Sequence, residues 1–364
     1  MNRQGSTFPF LLEMVDLETL DFEDFLTRSG LTPARIRIIT GKKFSRRIGN
    51  DFAGRIRSLP VEVIHSAENS LSFHERICRS SPLQRSVTLV VGIGGGAVLD
   101  FAKYHASSLE QPYFAIPTVI SNDGIASPIA ILADDRGHAR SYSTTPPIGI
   151  VIDPTILVEA PLWALTNGLG DVLSNHSAVM DWDLAVRRGR AEPSALARIM
   201  SRSAVQSILA PAPSMRDLAF LERYINAIVL SGLAMYISGN SRPCSGAEHL
   251  IAHVISRDRP ASFGHGFLVG SIAPYIVWLH QRSDRTLLPL ARSVGFELDF
   301  LKLAGKRQSF GALIDAARTI RGPRFTILDQ LSTTQLEAEY RSYLRALKAP
   351  AESTRPSFAD VAYQ

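Results

Sequence analysis

Cysteine is nearly absent: the 364 residues hold only two, Cys78 and Cys244, far apart in the sequence. Such a pair builds neither a disulfide framework nor a thiolate zinc site, and it fits a protein of the reducing cytoplasm. Long apolar runs are lacking too, since none reaches the roughly 18–20 residues that span a bilayer. Nor is there a basic stripe. The net charge of +5 and the pI of about 9.3 invite a nucleic-acid reading. The basic residues, however, fall in small groups such as Lys42-Lys43, Arg46-Arg47 and Arg187-Arg188, without interleaved aromatics. These absences argue against nucleic acid and membrane as partners; most cations are left to a solvated surface and a few to draw small anions. Residues 1–30 mix Phe and Leu with Glu13, Asp16, Glu18, Asp21 and Glu23, unlike a signal or transit peptide. Internal repeats and low-complexity segments are missing as well, and only the tails, 1–15 and 350–364, look loose.

What is present is the composition of an ordinary folded protein, 45 % hydrophobic and 20 % charged, with a mean hydropathy of +0.06. A chain this long exceeds one usual core, so two domains are expected, divided as 1–160 and 161–364. In the first, short β-branched runs alternate with helix-like stretches, the pattern of βαβ units on a parallel sheet. Strands are predicted at Ile36–Thr40, Val61–Ile64, Val87–Val91, Tyr113–Ile116 and Ile148–Ile152, and helices over 43–58, from the second strand to about 79, and over 97–109. Beyond Asp153-Pro154 the strand-like runs disappear. Helical patterns extend from about residue 161 to about 348, broken at Pro211 and Pro213 and again at Pro260 and Gly264. The predicted fold class is an α/β, Rossmann-like N-terminal domain with a parallel sheet, followed by an all-helical C-terminal domain.

The run Val87–Val91 suits a strand buried on both faces and leads into Gly92-Ile93-Gly94-Gly95-Gly96. Glycines at such a junction let backbone approach a ligand closely, and the next helix offers unpaired N–H groups to a phosphate. The other reading is a tight structural turn. The spacing departs from the usual dinucleotide fingerprint: Gly92-x-Gly94-x-x-Ala97 fits loosely, and Ile64-His65-Ser66 rather than an acid ends the second strand. Asp100, in the first turn of the next helix, is either a structural cap or a ligand contact. The hydroxyl-rich segment Ile116 to Ser127 follows the next strand, at the carboxyl end of the sheet where ligands bind. An ordinary polar loop capped by Ser and Asp is the alternative there.

His249 and His253 are four apart and share a face if helical. His265 stands between Gly264 and Gly266, as a tight turn or helix start would present it, and Asp171 follows Gly168-Leu169-Gly170. One Asp with two His, leaving a position open for a substrate oxygen, suits a catalytic zinc or iron. Packed or surface histidines are the competing reading, since the chain has nine.

Taken in order, Gly92-Ile-Gly-Gly-Gly-Ala-Val-Leu-Asp100, Ser121-Asn-Asp-Gly-Ile-Ala-Ser-Pro128, Gly170-Asp-Val-Leu-Ser-Asn175, Asp181-Trp182, Ser241-Arg-Pro-Cys-Ser-Gly-Ala-Glu-His249 and Phe325-Thr-Ile-Leu328 form a specific set. It resembles the sn-glycerol-1-phosphate dehydrogenase family, within the iron-containing alcohol dehydrogenase and dehydroquinate synthase superfamily. The likeness runs from about residue 85 to about 330. It implies a dehydroquinate synthase-like fold whose two domains enclose a cleft for NAD or NADP and one divalent metal, zinc in most relatives, with iron or nickel as alternatives. Matching the motifs puts the pyrophosphate on Gly94, Gly95, Gly96, Ala97 and Val98, and further cofactor contacts on Thr118, Ser121 and Ser127. Asp171, His249 and His265 match the metal ligands; Asp123, Asp171 and His253 match positions at the substrate and are the catalytic candidates. The implied reaction reduces dihydroxyacetone phosphate to sn-glycerol-1-phosphate. In it the metal polarises the ketone, the nicotinamide delivers hydride, His253 relays the proton and Asp123 orients the hydroxyls. The implied setting is cytoplasmic, as a homodimer or higher homo-oligomer acting on a small phosphorylated substrate.

Two positions depart from the family pattern. Phe267 follows Gly266 where an acid is usual, and Thr145 precedes Pro146-Pro147-Ile148-Gly149 where a lysine is usual. Both bear on the substrate and leave Arg242 and Lys103 as candidate anion partners, with surface or capping roles as the alternative. A second enzyme class, the sugar-phosphate cyclases, shares the metal and holds NAD tightly. Those carry an Asp-x-Ser-x-Gly-Gly-Lys-type segment after the Pro-Thr turn, where this chain reads Asp123-Gly-Ile-Ala-Ser-Pro128. A non-catalytic relative that keeps the fold is the third reading.

Overall fold

A computed structural model describes residues 11–66, 68–81, 87–259, 262–305 and 308–348. Pro260, residues 1–10 of the first tail and the whole of 350–364 lie outside the described residues. Contacts divide the chain into two units, one ending at Ala160 and the other beginning at Pro161, with Ser121–Asp123 belonging to the second.

The first unit runs β1 (Leu11–Met14), α1 (Phe22–Arg28), β2 (Arg35–Thr40), α2 (Phe44–Arg55), β3 (Val61–His65), α3 (Leu71–Ser80), β4 (Thr88–Gly94), α4 (Gly96–Ser108), β5 (Tyr113–Pro117), β6 (Ile129–Ala133), β7 (Ala139–Ser143), β8 (Gly149–Ile152) and α5 (Pro154–Val158). Six strands form a parallel sheet in the order β1-β8-β5-β4-β2-β3. The central strand β4 is buried along its whole length, which is why it reads as a continuous apolar run without alternation. It extends through Gly94, so the first glycines of the run are strand and not turn. Ile36, Ile38, Leu89, Val91, Ile93 and Phe114 pack with Phe22, Phe25 and Phe52 in one core. β3 and β4 flank β2 on opposite sides, so the winding reverses between β2 and β4. The loop leaving β4 therefore sits at a switch point, where open α/β sheets bind ligands.

The expectation of a loose tail up to residue 15 is corrected at its inner end. Residues 11–14 form the edge strand β1, paired with β8 from Leu11↔Gly149 to Met14↔Ile152. Four residues carry too little periodicity to announce a strand, and a remote partner supplies the ladder. The antiparallel hairpin β6–β7 escapes the sequence reading for the same reason. So does α1, which Asp21 caps by accepting the Asp24 N–H at 3.0 Å.

The second unit runs α6 (Leu162–Arg187), α7 (Ala195–Leu209), α8 (Leu218–Ser238), α9 (Ala247–Asp258), α10 (His265–His280), α11 (Leu288–Ser293), α12 (Leu301–Ala304), α13 (Phe310–Thr319) and α14 (Thr333–Leu347), with no strand among its described residues. Its core joins Leu250, Ile251 and Val254 of α9 to Leu268, Ile272 and Ile276 of α10, closed by α13 and α14. Pro211 and Pro213 fall between α7 and α8, as their inability to continue a helix requires. α8 is long and apolar enough to cross a membrane by length and composition, yet 67 % of that window is buried within the fold, as in a core helix. α6 and α10 meet at glycines: a Cβ on Gly170 would overlap the Gly266 carbonyl oxygen, and one on Gly266 would overlap the Asn167 carbonyl oxygen.

Candidate metal centre and glycine turn

Gly95 caps α4 with no side-chain hydrogen bond; its carbonyl accepts the Val98 N–H at 2.9 Å, and the Gly96 and Ala97 N–H groups have no hydrogen-bond partner among the described residues. Gly95 and Gly96 are half-buried and Ala97 is exposed, which leaves this terminus accessible. Gly94 is demanded by packing as well, because a Cβ there would press on Val98 at 2.7 Å. Thr118 donates its N–H to Gly94 O at 3.0 Å and so joins the end of β5 to the turn. Within 121–128, Ser121 is half-buried, whereas Ser127 is buried and donates its hydroxyl to Ile129 O.

The two cations singled out from the sequence are engaged by the fold. Lys103 is fully buried; its ammonium donates to Ser127 O at 3.1 Å and to Gly124 O, and lies 3.5 Å from Asp100. Asp100 is buried with it, so that pair braces the loop from inside α4. Burial pushes the Asp100 carboxyl up, against the pull of Lys103. Arg242 donates to Phe325 O at 3.1 Å and fastens the segment after α13.

Asp171 on α6, His249 in the first turn of α9 and His265 at the start of α10 are gathered by the second unit: one ligand-type atom of each lies within 4.8 Å of the others. The helix contact at Gly170 and Gly266 makes this meeting feasible, since Asp171 and His265 are their sequence neighbours. From Asp171 Oδ1, His249 Nε2 is 3.6 Å away and His265 Nε2 4.0 Å. Metal bonds of about 2.0–2.1 Å at a tetrahedral angle put neighbouring donors about 3.3 Å apart. Both pairs thus need less than about 1 Å of closure to hold a cation. Asp171 and His249 are buried while the His265 side chain is 38 % exposed, which leaves the set open on one side. Asp171 Oδ2 accepts the Asp123 N–H at 3.0 Å, so Asp123 belongs to the surroundings of this set through its backbone.

A carboxylate stands behind His249. Glu248 Oε1 lies 2.9 Å from His249 Nδ1 and accepts the Gly246 N–H at 2.6 Å, while Oε2 accepts the Ser177 hydroxyl at 2.9 Å. This bonding holds a hydrogen on Nδ1 and leaves the Nε2 lone pair facing Asp171, the arrangement found behind metal-bound histidines. Burial opposes protonation of His249, yet the Asp171 and Glu248 carboxylates outweigh it and lift its pKa. Glu248→Gln keeps the shape and removes the charge, so metal affinity is expected to fall by about 10–100-fold. Competition against a chromogenic chelator measures this; affinity equal to that of the unaltered protein would remove Glu248 from the orienting role.

His253, one turn along α9, has its ring centre 6.4 Å from that of His249 and 5.4 Å from that of His265. Its Nε2 is buried without a hydrogen-bond partner among the described residues. Burial first, and then the positive charge of Arg321, hold its pKa at about 2, so the ring is neutral. Asp181 ties the surrounding segments together, accepting the Ala247 and Ile327 N–H groups at 2.7 Å each and lying 2.9 Å from His280 Nε2. Three motifs far apart in the sequence thus share one buried carboxylate. Arg324 adds bonds to Ser241 Oγ at 3.0 Å and to Ser245 O. Sequence reasoning assigned no role to Glu248, Asp181, Arg321 or Arg324. Glu248 and Asp181 were visible only as motif members, and the two arginines sit in an irregular Arg-Gly-Pro-Arg loop that has no period to read.

Phe267 and Thr145 lie in ordinary surroundings. Phe267 stacks on Phe263 and meets Phe296 edge-on, and Thr145 is exposed with its N–H on Ser107 Oγ. A second donor cluster, His74, Cys78 and His105, occurs in the first unit. There Arg37 lies 2.9 Å from His105 Nε2, and the two Nδ1 atoms of His74 and His105 are 3.1 Å apart. A buried guanidinium beside the ring opposes a cation, and the cluster reads as a structural hydrogen-bond chain.

The sequence model of the iron-containing alcohol dehydrogenase family matches residues 19–161. The crystal structure of glycerol dehydrogenase from Schizosaccharomyces pombe shares the fold with a TM-score of 0.71 at 17 % identity, covering 94 % of this chain and 92 % of that one. The chain thus shares its fold with solved glycerol and iron-containing alcohol dehydrogenases. The NAD(P)+ glycerol-1-phosphate dehydrogenase of Pyrobaculum neutrophilum is 33 % identical over 315 residues, 84 % of this chain and 89 % of its own. That of Methanosphaerula palustris is 36 % identical over 248 residues, 67 % and 68 % of the two chains. The chain belongs to the glycerol-1-phosphate dehydrogenase family.

Proposed function

We propose that this protein is a metal-dependent NAD(P)H oxidoreductase that reduces dihydroxyacetone phosphate, or a closely related phosphorylated ketone, to sn-glycerol-1-phosphate. The observation that carries the reading is the Asp171, His249 and His265 set with Glu248 behind it, in a chain of this family. Its nitrogen and oxygen donors suit zinc. The nicotinamide cofactor is assigned to Gly94, Gly95, Gly96, Ala97 and Val98, with Thr118, Ser121 and Ser127 as further contacts; the accessible α4 terminus at a sheet switch point supports this. When bound, the cation supplies Lewis acidity toward a ketone oxygen and the nicotinamide supplies the hydride.

The chain's own residues do the rest. Asp171 is held by the Asp123 N–H on one oxygen and presents the other to the metal site. Glu248 keeps His249 in one tautomer. His253, neutral and with Nε2 unsatisfied among the described residues, is the hydrogen-bond partner through which a substrate hydroxyl exchanges its proton with solvent. Asp123 orients the substrate hydroxyls.

The test is a nicotinamide absorbance assay over small ketose and polyol phosphates, run before and after chelation. Dihydroxyacetone phosphate is expected to be reduced with consumption of one NAD(P)H per ketone, chelation to abolish the rate, and zinc to restore it. Phosphate release without net oxidation would identify a cyclase instead, and full activity of metal-free protein would remove the metal from the reaction.

A further inference from the structure

Several buried or half-buried polar groups of the second unit have no hydrogen-bond partner among the described residues. Arg321 follows α13, half-buried, and makes no hydrogen bond or ion pair among the described residues. Its charge acts on both His253 and His265, and it stands three residues from Arg324, whose guanidinium reaches Ser241 and Ser245 of the segment that leads into His249. Arg324 uses its two Nη atoms on Ser241 Oγ and Ser245 O, and its buried Nε has no partner among the described residues. Ser245 is 5 % exposed, and its hydroxyl has no partner among the described residues. His253 Nε2 is in the same state. No carboxylate stands within ion-pair distance of Arg321 or Arg324 among the described residues.

Desolvated guanidiniums that repel each other are costly to maintain unless an anion joins them. Here burial first, and the charges of Arg321 and Arg242 next, bring Arg324 down to about 10 against the weaker opposite pull of the Glu248 and Asp181 carboxylates. The groups on offer are hydrogen-bond donors in fork geometry and a hydroxyl, the set that recognises a phosphate monoester. Neither cation singled out from the sequence is equally available, since Lys103 is engaged by Asp100 and two carbonyls and Arg242 by Phe325 O.

We propose that Arg321, Arg324 and Ser245 form an anchor for a dianionic phosphate monoester, which grips the phosphate end of the substrate beside the Asp171, His249 and His265 set. The identity of the substrate rests on the reductase reading above; the anchor itself rests on the unused donors.

Arg321→Ala is the informative variant, because no described side chain relies on Arg321 for a bond. Inorganic phosphate titrated into the unaltered, metal-loaded protein is expected to bind in calorimetry and raise Tm. Arg321→Ala should weaken this affinity by about 10–100-fold, and Arg321→Lys should recover part of it, since it restores charge without the fork. In kinetics, the preference for dihydroxyacetone phosphate over dihydroxyacetone should fall by about 100-fold in Arg321→Ala, chiefly through KM, with bound metal retained. Ser245→Ala should lower phosphate affinity severalfold and serves if Arg321→Ala does not fold. Absence of phosphate binding to the unaltered protein, or unchanged phosphate affinity in Arg321→Ala, overturns the anchor. Failure of the unaltered protein to reduce dihydroxyacetone phosphate overturns the reductase reading instead, and the phosphate titration still decides the anchor.

Discussion

His249→Ala is expected to leave the protein without bound metal and to lower turnover by at least about a thousandfold, since a Lewis acid at a reacting oxygen is worth several kcal/mol. The buried imidazole is the best-held member of the set: Nδ1 is fixed by Glu248 and Nε2 faces Asp171 at 3.6 Å. Without it, Asp171 and the half-exposed His265 remain as two donors, too few for a catalytic zinc site, which takes three. Stability should fall too, because Glu248 stays buried having lost one of its donors, a cost of about 1–3 kcal/mol. Metal analysis together with circular dichroism separates the two effects. A folded variant without metal and without turnover is the expected result; a metal-free variant with full activity would end the assignment.

Gly266→Ala should produce the largest structural loss. The added methyl would overlap the Asn167 carbonyl oxygen, a backbone atom of α6 that cannot rotate away, so α6 and α10 must move apart. Asn167 also accepts the Phe267 N–H at 2.9 Å, a bond that shares the displacement. Overpacking usually costs about 1–3 kcal/mol, and contact with rigid backbone belongs at or above the top of that range. For a unit of this size, about 3 kcal/mol lowers Tm by about 6–12 °C. Because Asp171 and His265 flank the two contacting glycines, metal affinity should fall in the same variant. Thermal melts with and without added zinc test this, and an unshifted Tm would show that the helix contact is not demanding.

The strands of the first unit were legible because burial on both faces writes an apolar run into the sequence, as Thr88–Gly94 illustrates. β1 and the β6–β7 hairpin were not, because strands of four or five residues depend on partners that local pattern does not name. The glycine turn and the Asp171, His249 and His265 set were each ambiguous by spacing, and the order of the motifs around them brought them into one reading. Glu248, Asp181, Arg321 and Arg324 could not be read the same way. Their part is defined by which atoms they meet, and a carboxylate that accepts backbone N–H groups leaves no period behind.

By itself the sequence determined the change from alternating strand and helix to helices alone near residue 160, the residue types able to hold a cation, and the place of the glycine turn between a buried strand and a helix. These follow from local rules: apolar spacing, the conformational freedom of glycine and the donor chemistry of side chains. The tertiary structure decided which of the available groups are spent and which are free. Lys103, a candidate anion partner in the sequence, is consumed in bracing a loop, whereas Arg321, unremarkable in the sequence, is left without a partner among the described residues. Asp171 and His265 meet only because glycines let two helix backbones touch. Such outcomes depend on long-range closure, in which every buried polar group competes for partners brought from elsewhere in the chain.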